Sequence, residues 1–216
     1  MNNADTDTLE QQLHRLGNLV VARDPSAAAI GQVVELIAEA AAILGDERER
    51  TLDEFSASFA NGMLQEVPEG PMDMFITSPY SGKHNPLAPA DYQLFREGDK
   101  ARALVTLGVA FQGAPARSHG GVVAGLFDDI MGSLQMVIPP FGYTRSLTVN
   151  YVRPFPIDEQ VELVAEASDE DDHTFTVVAT ATYNAKTVAT AEATFTKVNV
   201  GQFAPQTTTS DIRQND

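Results

Sequence analysis

The stretch SHGGVVAGLFDDIMG, residues 118–132, decides the architecture that this sequence predicts. It begins with a histidine and two glycines, continues as an apolar run and carries two adjacent aspartates in its middle. An apolar run of this length predicts a helix that is buried in the core. An ionised carboxylate on such a helix is costly unless another group pairs with it or a reaction uses it. We therefore take this stretch as the candidate functional site.

The composition excludes several classes of function. With 216 residues the chain can form one well-packed core, so we expect one domain and an appendage. A formal net charge of -16 disfavours nucleic acid and anionic membrane surfaces as partners, because both attract basic surfaces. The absence of cysteine excludes disulfides, thiolate metal sites and a cysteine nucleophile. The N-terminus lacks the pattern of a targeting peptide, and no apolar run approaches the roughly 20 residues of a membrane span. We expect a soluble, cytoplasmic protein.

Residues 1–65 predict a helical extension. Thr8 and Gln11 have the spacing of a capping box at the start of a first helix. Asp24 and Pro25 predict the N-cap and the first residue of a second helix. The apolar stripe of that second helix consists of Ile30, Val33, Val34, Ile37, Ala41 and Leu44. Three roles are open for the extension: a lid over the site, an element of a second interface, or a cover for the sheet.

The rest of the chain predicts a sheet. Residues 66–90 are rich in proline and glycine and predict a connecting loop with at most one short strand, whereas residues 199–216 form a polar tail that we expect to be disordered. The main domain, residues 91–198, contains the strand-like segments RALVTLGVAF, 143–152, 160–168 and 173–198. The last of these divides into two strands at YNAKT, where Asn184 can occupy the turn.

These elements predict an α+β domain. A strand, a long helix and at least four antiparallel strands can bury their apolar faces if the sheet wraps around the helix. Such a sheet leaves an outer face and an edge without cover, which favours oligomerisation.

The order of elements and the motifs on them resemble the PaaI-type hotdog-fold thioesterases of phenylacetate degradation. The resemblance covers residues 90–198 and excludes the N-terminal helices. The matching motifs are His119-Gly120-Gly121 at the helix start, Asp128 at the acid position, Thr144 on the next strand, and NYVRP at 150–154. The resemblance implies a hotdog fold, in which an antiparallel sheet wraps one long central helix. It also implies hydrolysis of acyl-CoA thioesters without a cofactor, CoA being part of the substrate.

The resemblance implies a role for each matching residue. Asp128 would be the general base or nucleophile, and the Gly121 N–H would polarise the thioester carbonyl. His119 would shape the loop, and Thr144 would help to place the attacking water. Free N–H groups at the positive end of a helix dipole suit a carbonyl oxygen that becomes an oxyanion.

One position departs from the pattern. Some members of the family have a polar asparagine where this chain has Gly113, so Gln112 or Ser118 would have to supply that contact. The candidate substrate-binding residues are Gly120, Ser118, Arg145, Arg153 and Phe127.

Structural roles compete with these assignments. One aspartate of the pair can be solvated while the other forms an ion pair with Arg145 or Arg153. His119 can be a hydrogen-bonded core histidine, and Thr144 can serve in packing. Asp129 is the weaker candidate, because it lies about 100° around the helix from Asp128.

Helix geometry predicts a site made from two chains. Asp128 lies seven residues after Gly121, which is roughly 10 Å along a helix axis. One carbonyl cannot reach both groups in the same chain. Two antiparallel helices across a twofold axis would bring Asp128 of one subunit to Gly121 of the other. We expect a homodimer or homotetramer, and a raised pKa for a carboxylate beside an apolar acyl tunnel.

Two alternative functions use the same fold. A non-catalytic acyl-CoA sensor would normally carry a DNA-binding module, and the acidic N-terminal segment has no basic recognition helix. An enoyl-CoA hydratase or dehydratase is weakly suggested by KHNPLAP at 83–89, which lacks the preceding Gly-Asp and the second histidine of those enzymes. The acyl specificity depends on which side chains close the tunnel, and the candidates are Phe111, Phe127, Met136, Phe141 and Tyr143.

Overall fold

Helices lead and strands follow along the chain. The structure is a computed structural model that describes residues 3–72, 78–82, 85, 89 and 91–199. The described chain begins with helices α1 (Asn3–Ala22), α2 (Ala27–Gly45) and α3 (Leu52–Leu64). Strands β1 (Gly70–Met72), β2 (Asp91–Glu97) and β3 (Lys100–Thr106) come next, then a short 3₁₀ turn (Val109–Phe111) and helix α4 (Gly120–Leu134). Strands β4 (Gly142–Tyr151), β5 (Gln160–Glu170), β6 (Thr174–Tyr183) and β7 (Lys186–Lys197) complete it.

The strands form one seven-stranded antiparallel sheet in the order β1-β2-β3-β5-β6-β7-β4. Helix α4 lies against one face of it through Val123, Leu126, Phe127, Ile130, Met131, Ser133 and Leu134. Many of the inward-facing strand residues are alanines, which leave room for the helix: Ala101, Ala103, Ala165, Ala179, Ala181, Ala191 and Ala193. This arrangement confirms the predicted α+β domain, in which a sheet wraps one long helix.

The strands after α4 follow the predicted segments. The turn between β6 and β7 has Asn184 and Ala185 in the left-handed region, at φ 49° and 59°, as a two-residue hairpin requires. Before α4 the predicted number of strands was wrong. The segment was predicted to hold one strand, but it forms a hairpin of β2 and β3 that turns at Gly98, with φ 59°. Strand β1 adds a further edge from within the predicted loop.

The helix starts in the extension also differ from the prediction. Helix α1 begins at Asn3, ahead of the capping box expected at Thr8. The N-cap of α2 is Ser26 and not Asp24, because the Ser26 hydroxyl accepts the N–H of Ala29 at 3.2 Å. Pro25 therefore precedes the cap.

The charged segment after α2 leads into a third helix that the sequence analysis did not separate. Thr51 and Glu54 form a capping box at the start of α3: Glu54 N–H donates to Thr51 Oγ1 at 3.2 Å, and Thr51 N–H donates to Glu54 Oε2 at 2.8 Å. Arg48 pairs with the same carboxylate at 2.9 Å.

Helix α1 is attached to the domain. Asn18 Oδ1 accepts the N–H of Ala110 at 3.2 Å, and a Cβ on Gly108 would lie 2.3 Å from the same oxygen. Gly108 therefore permits this close approach. His14 Nε2 is hydrogen-bonded to Asn85 O at 3.1 Å.

Helix α2 differs from α1, because none of its side chains is buried. By length and composition it could cross a membrane, contrary to the expectation that no apolar run approaches that length.

Candidate functional site

The start of α4 is capped by a histidine. His119 is the N-cap, and its Nδ1 accepts the N–H of Gly121 at 3.1 Å. The ring therefore carries its proton on Nε2 when it is neutral. The N–H of Gly120, the first helical residue, has no partner within the described part of the chain. The predicted donor Gly121 is thus engaged by its own histidine, while the neighbouring amide is free.

A cleft of about 400 Å³ opens at this helix start. Its walls include Gly113, Arg117, Ser118, His119, Gly120 and residues 151–155. The Tyr151 hydroxyl donates to Gly120 O at 2.7 Å, which ties β4 to the helix start. Arg117 and Arg153 bring positive charge to the rim, and Arg153 also donates to Thr187 O. The cleft therefore suits an anionic ligand, although the chain as a whole is acidic.

Packing explains the departure at Gly113. A Cβ at this position would lie 2.7 Å from the Cα of His119, so a polar side chain cannot be placed there without moving the N-cap. Neither proposed substitute is positioned as a free donor in the cleft. Ser118 is buried and donates to Pro156 O at 2.9 Å, and Gln112 is exposed and is not among the described residues that line the cleft.

Asp128 and Thr144, both candidates from the sequence, lie in contact. Thr144 Oγ1 donates to Asp128 Oδ1 at 2.9 Å, and both residues are exposed. Thr144 belongs to β4, which is an edge of the sheet. Arg145 is exposed at an irregularity in the pairing of β4 with β7. Within the described residues neither Arg145 nor Arg153 forms an ion pair with Asp128.

The neighbouring Asp129 points into the protein. Its Oδ1 accepts a hydrogen bond from the Ser78 hydroxyl. Ser78 Oγ accepts the Ser81 hydroxyl at 3.1 Å and the N–H groups of Tyr80 and Ser81 at 3.3 Å. Burial raises the pKa of the Asp129 carboxyl, opposed by the hydrogen bond from Ser78 and reinforced by the charge of Asp128. The raised pKa that the sequence analysis expected for the catalytic carboxylate is therefore found at Asp129.

Two polar atoms of this cluster, one of them in the carboxyl itself, have no hydrogen bond among the described residues. They are Asp129 Oδ2 and the Tyr92 hydroxyl, and both are fully enclosed. Burial, and then the charge of Asp129, raise the pKa of Tyr92 well above its ordinary value. The sequence analysis missed this cluster, because the only signal was a serine- and tyrosine-containing stretch, SPYSG, inside a predicted loop.

The aromatic candidates for the tunnel are divided between core and surface. Phe127 is fully buried between α4 and the sheet, and Phe111 and Met136 pack against the same core. Phe141 and Tyr143 form an edge-to-face pair at 6.1 Å at the start of β4. Of the hydratase-like stretch KHNPLAP, only Asn85 and Pro89 are among the described residues.

The two halves of the site lie on one uninterrupted helix. Helix α4 runs without a break from Gly120 to Leu134. Gly121 and Asp128 are therefore separated by roughly 10 Å along the helix axis, which is too far for both to contact one carbonyl group. Within the described residues no cluster of three metal-ligating side chains is present.

Comparison with known proteins identifies the fold. No family model matches the sequence, and no curated protein matches it. A crystal structure of a thioesterase superfamily protein matches with a TM-score of 0.73 and 24% identity, covering 89% of this chain and 90% of that chain. A hypothetical thioesterase from Streptococcus pneumoniae with coenzyme A matches with a TM-score of 0.49 and 18% identity, covering 51% and 88%. The PaaI protein of E. coli has a TM-score of 0.45 and 15% identity, covering 50% and 79%.

The first of these matches carries the assignment of the fold. This chain has the hotdog fold of a thioesterase superfamily protein, which confirms the predicted resemblance at the level of architecture. A likeness over 89% of the chain also extends into the N-terminal helices, which the sequence resemblance did not cover.

Proposed function

We propose that this protein hydrolyses the thioester of an acyl-CoA to free CoA and a carboxylic acid, acting as a homodimer or homotetramer. The observation that carries the proposal is the exposed Asp128 carboxylate, which Thr144 orients at 2.9 Å on the open side of α4. An exposed carboxylate held by one hydroxyl has its second oxygen available for a water molecule.

Asp128 acts as the general base. The Thr144 hydroxyl occupies Oδ1, so Oδ2 is the atom that accepts the proton of the attacking water. The water oxygen bonds to the carbonyl carbon, the C–S bond then breaks, and the CoA thiolate leaves and takes up a proton.

The carbonyl oxygen binds at the start of α4. Among the described residues nothing occupies the Gly120 N–H, and the Gly121 N–H becomes available when the exposed ring of His119 turns aside. Backbone donors at the positive end of a helix stabilise the oxyanion of the tetrahedral intermediate.

Each site combines two chains. The outer side of the ten-residue strand β4 is unpaired within the described residues, and Asp128 lies beside it. An exposed strand edge is a template for pairing with another chain. Pairing of two β4 strands about a twofold axis would set the two α4 helices antiparallel, with Asp128 of one facing the helix start of the other.

The cleft at the helix start is the proposed entry for CoA. Arg117 and Arg153 at its rim are suited to the phosphates, and Gly120 lets the thioester approach the backbone. The hydrolysis requires no metal or redox cofactor, since water is the nucleophile and a carboxylate the base.

Thiol release from a panel of short, long and aromatic acyl-CoAs tests the proposal. The chain contains no cysteine, so a thiol-reactive dye has no background from the protein. We expect Asp128→Asn to lose activity by about 10²–10⁴-fold, the usual contribution of a general base. Asp129→Asn is the matched control, with the same change one residue away, and should retain activity.

Three results would contradict the proposal. Full hydrolysis by a folded Asp128→Asn protein would exclude the mechanism. Saturable binding of acyl-CoA without thiol release would indicate a sensor. A change in enoyl absorbance without thiol release would indicate a hydratase.

A further inference from the structure

Helix α2 is left uncovered by the described part of its own chain. None of its side chains is buried, although it is 19 residues long and mostly apolar. The side chains of Ile30, Val34, Ile37 and Leu44 are each between 46% and 58% exposed. Isolated helices are marginal in water, and most of their stability in proteins comes from packing of an apolar face. A stable α2 therefore needs a partner.

Six of the apolar residues of α2 form a seam suited to another helix. Their spacing alternates between three and four residues along the positions Ala27, Ile30, Val34, Ile37, Ala41 and Leu44. This is the pattern of a coiled-coil core. The outward face carries Gln32, Glu35 and Glu39, together with the exposed apolar residues Leu36 and Ile43. Among the described helices, α4 has its apolar face buried against the sheet, and α1 contacts the 3₁₀ turn.

We propose that this seam pairs with the same seam of a second copy of the chain, with the two α2 helices antiparallel. This contact is separate from β4 and does not rest on the proposed function. In the register that overlaps both helices fully, Val34 faces Ile37 of the second copy, Ile30 faces Ala41, and Ala27 faces Leu44. Every core layer then contains one smaller and one larger residue. An isologous contact of this kind covers both helices at once.

The charges on α2 permit pairing with itself even though the chain is strongly acidic. The positions that flank the seam are uncharged: Gly31, Val33, Ala38 and Ala40. Glu35 and Glu39 point away from it, so no like charges meet along the helical part of the contact.

The ends of α2 favour the antiparallel orientation. Asp46 and Glu47 follow the end of the helix, and antiparallel pairing sets them beside the positive start of the second helix, which Arg23 and Asp24 precede with no net charge. Parallel pairing would instead place these acidic residues against their own copies.

The same charges oppose a membrane as the partner. Helix α2 contains no lysine or arginine, and Glu35 and Glu39 occupy its middle and C-terminal half. Interfacial helices use basic residues on the polar face to attract anionic lipids. A charged residue near the centre of a spanning helix costs about 3 kcal/mol on insertion scales.

Cysteine cross-linking of the full chain tests both the contact and its orientation. The natural chain has no cysteine, so Val34→Cys and Ile37→Cys each introduce a single thiol at an exposed position. Antiparallel pairing places these two positions opposite each other, within the Cβ–Cβ separation of about 4 Å that a disulfide spans. We expect disulfide dimers when the two variants are mixed and oxidised, at least about five-fold more than in either variant alone.

Gln32→Cys, on the outward face, is the matched control and should not cross-link. Equal cross-linking of Val34→Cys and Ile37→Cys without mixing would indicate parallel pairing and overturn the proposed orientation. Absence of cross-links would overturn the contact itself. Sedimentation of the wild-type protein with vesicles of neutral and anionic phospholipid would indicate a membrane partner instead.

Discussion

At the residue scale, two adjacent aspartates on one helix have opposite surroundings. Asp128 faces outward and is held by Thr144, whereas the carboxyl of Asp129 is enclosed by Ser78 and the Tyr92 ring. A rotation of about 100° per residue is enough to separate them. The preference for Asp128 followed from the motif that surrounds it. The environment of Asp129 depends on a loop some fifty residues earlier, which no local pattern could have revealed.

The buried Asp129 carboxyl predicts a pH-dependent cost to stability. Its pKa in the folded protein is raised above the ordinary 3.8, so the folded state binds this proton more tightly than the unfolded state. The free energy of unfolding contributed by this group therefore falls as the pH rises from about 4 through the folded pKa, and is level above it. Asp129→Asn stays neutral and escapes this cost.

Thermal unfolding of wild type and Asp129→Asn between pH 5 and pH 8 measures this effect. The range stays above the sequence pI of about 4.4, where proteins without net charge tend to precipitate. We expect the Tm of Asp129→Asn minus that of wild type to increase with pH. A difference that stays constant from pH 5 to pH 8 would show that Asp129 does not titrate in this range in the folded protein, and would refute the predicted pH-dependent cost over it.

At the scale of elements, periodicity was sufficient wherever burial alone decides the structure. It predicted α4 and the strands β4 to β7, because one face of each packs in the core. It failed at helix starts and at the β2–β3 hairpin, where single contacts such as the Ser26 cap decide the boundary. Motifs singled out Asp128 and Thr144 as candidates but not the hydrogen bond between them, and the capture of the Gly121 amide by His119 depends on a ring orientation.

Two glycines of α4 are predicted to respond oppositely to the same substitution. A Cβ on Gly125 would lie 2.0 Å from the Tyr80 ring, whereas nothing lies within 4 Å of a Cβ on Gly132. Gly132→Ala should stabilise the protein by about 1 kcal/mol through helix propensity, raising the Tm by about 2–4 °C. Gly125→Ala should destabilise it, because the Tyr80 ring and its loop must move.

A double-mutant cycle identifies the cause. In a Tyr80→Ala background the obstructing ring is gone, so Gly125→Ala should become stabilising. If Gly125→Ala raised the Tm of the wild-type background, Tyr80 would not pack on Gly125 as described.

At the scale of the whole molecule, the described residues of a single chain leave three features incomplete. The edge of β4 is unpaired, α2 is uncovered, and the two halves of the proposed site are too far apart to act on one carbonyl. Helix length predicted the separation between the two halves of the site, and the predicted sheet implied an uncovered edge. It left the role of α2 open, because an apolar stripe does not by itself show which surface covers it.

Subunit mixing is predicted to restore activity from two inactive variants. Asp128→Asn removes the base, and Gly120→Pro removes the free amide. Proline suits the first helical position, and the extended ψ of 132° at His119 is compatible with a following proline. If Gly120→Pro remains active, Gly121→Pro takes its place; activity in both would exclude the proposed oxyanion site. Asp128→Asn and the inactive proline variant are purified separately and confirmed to be folded by thermal unfolding. They are then mixed in equal amounts and allowed to exchange subunits.

In a dimer with shared sites, each mixed dimer contains one site with both groups intact. Random exchange makes half of the dimers mixed, so the thiol-release rate should recover to about a quarter of wild type by symmetry alone. If each site lay within one chain, no subunit of the mixture would have both groups, and the rate would remain that of the separate variants. Recovery that appears only after exchange would therefore establish that Asp128 and the helix start act across the subunit boundary, and its absence would refute it.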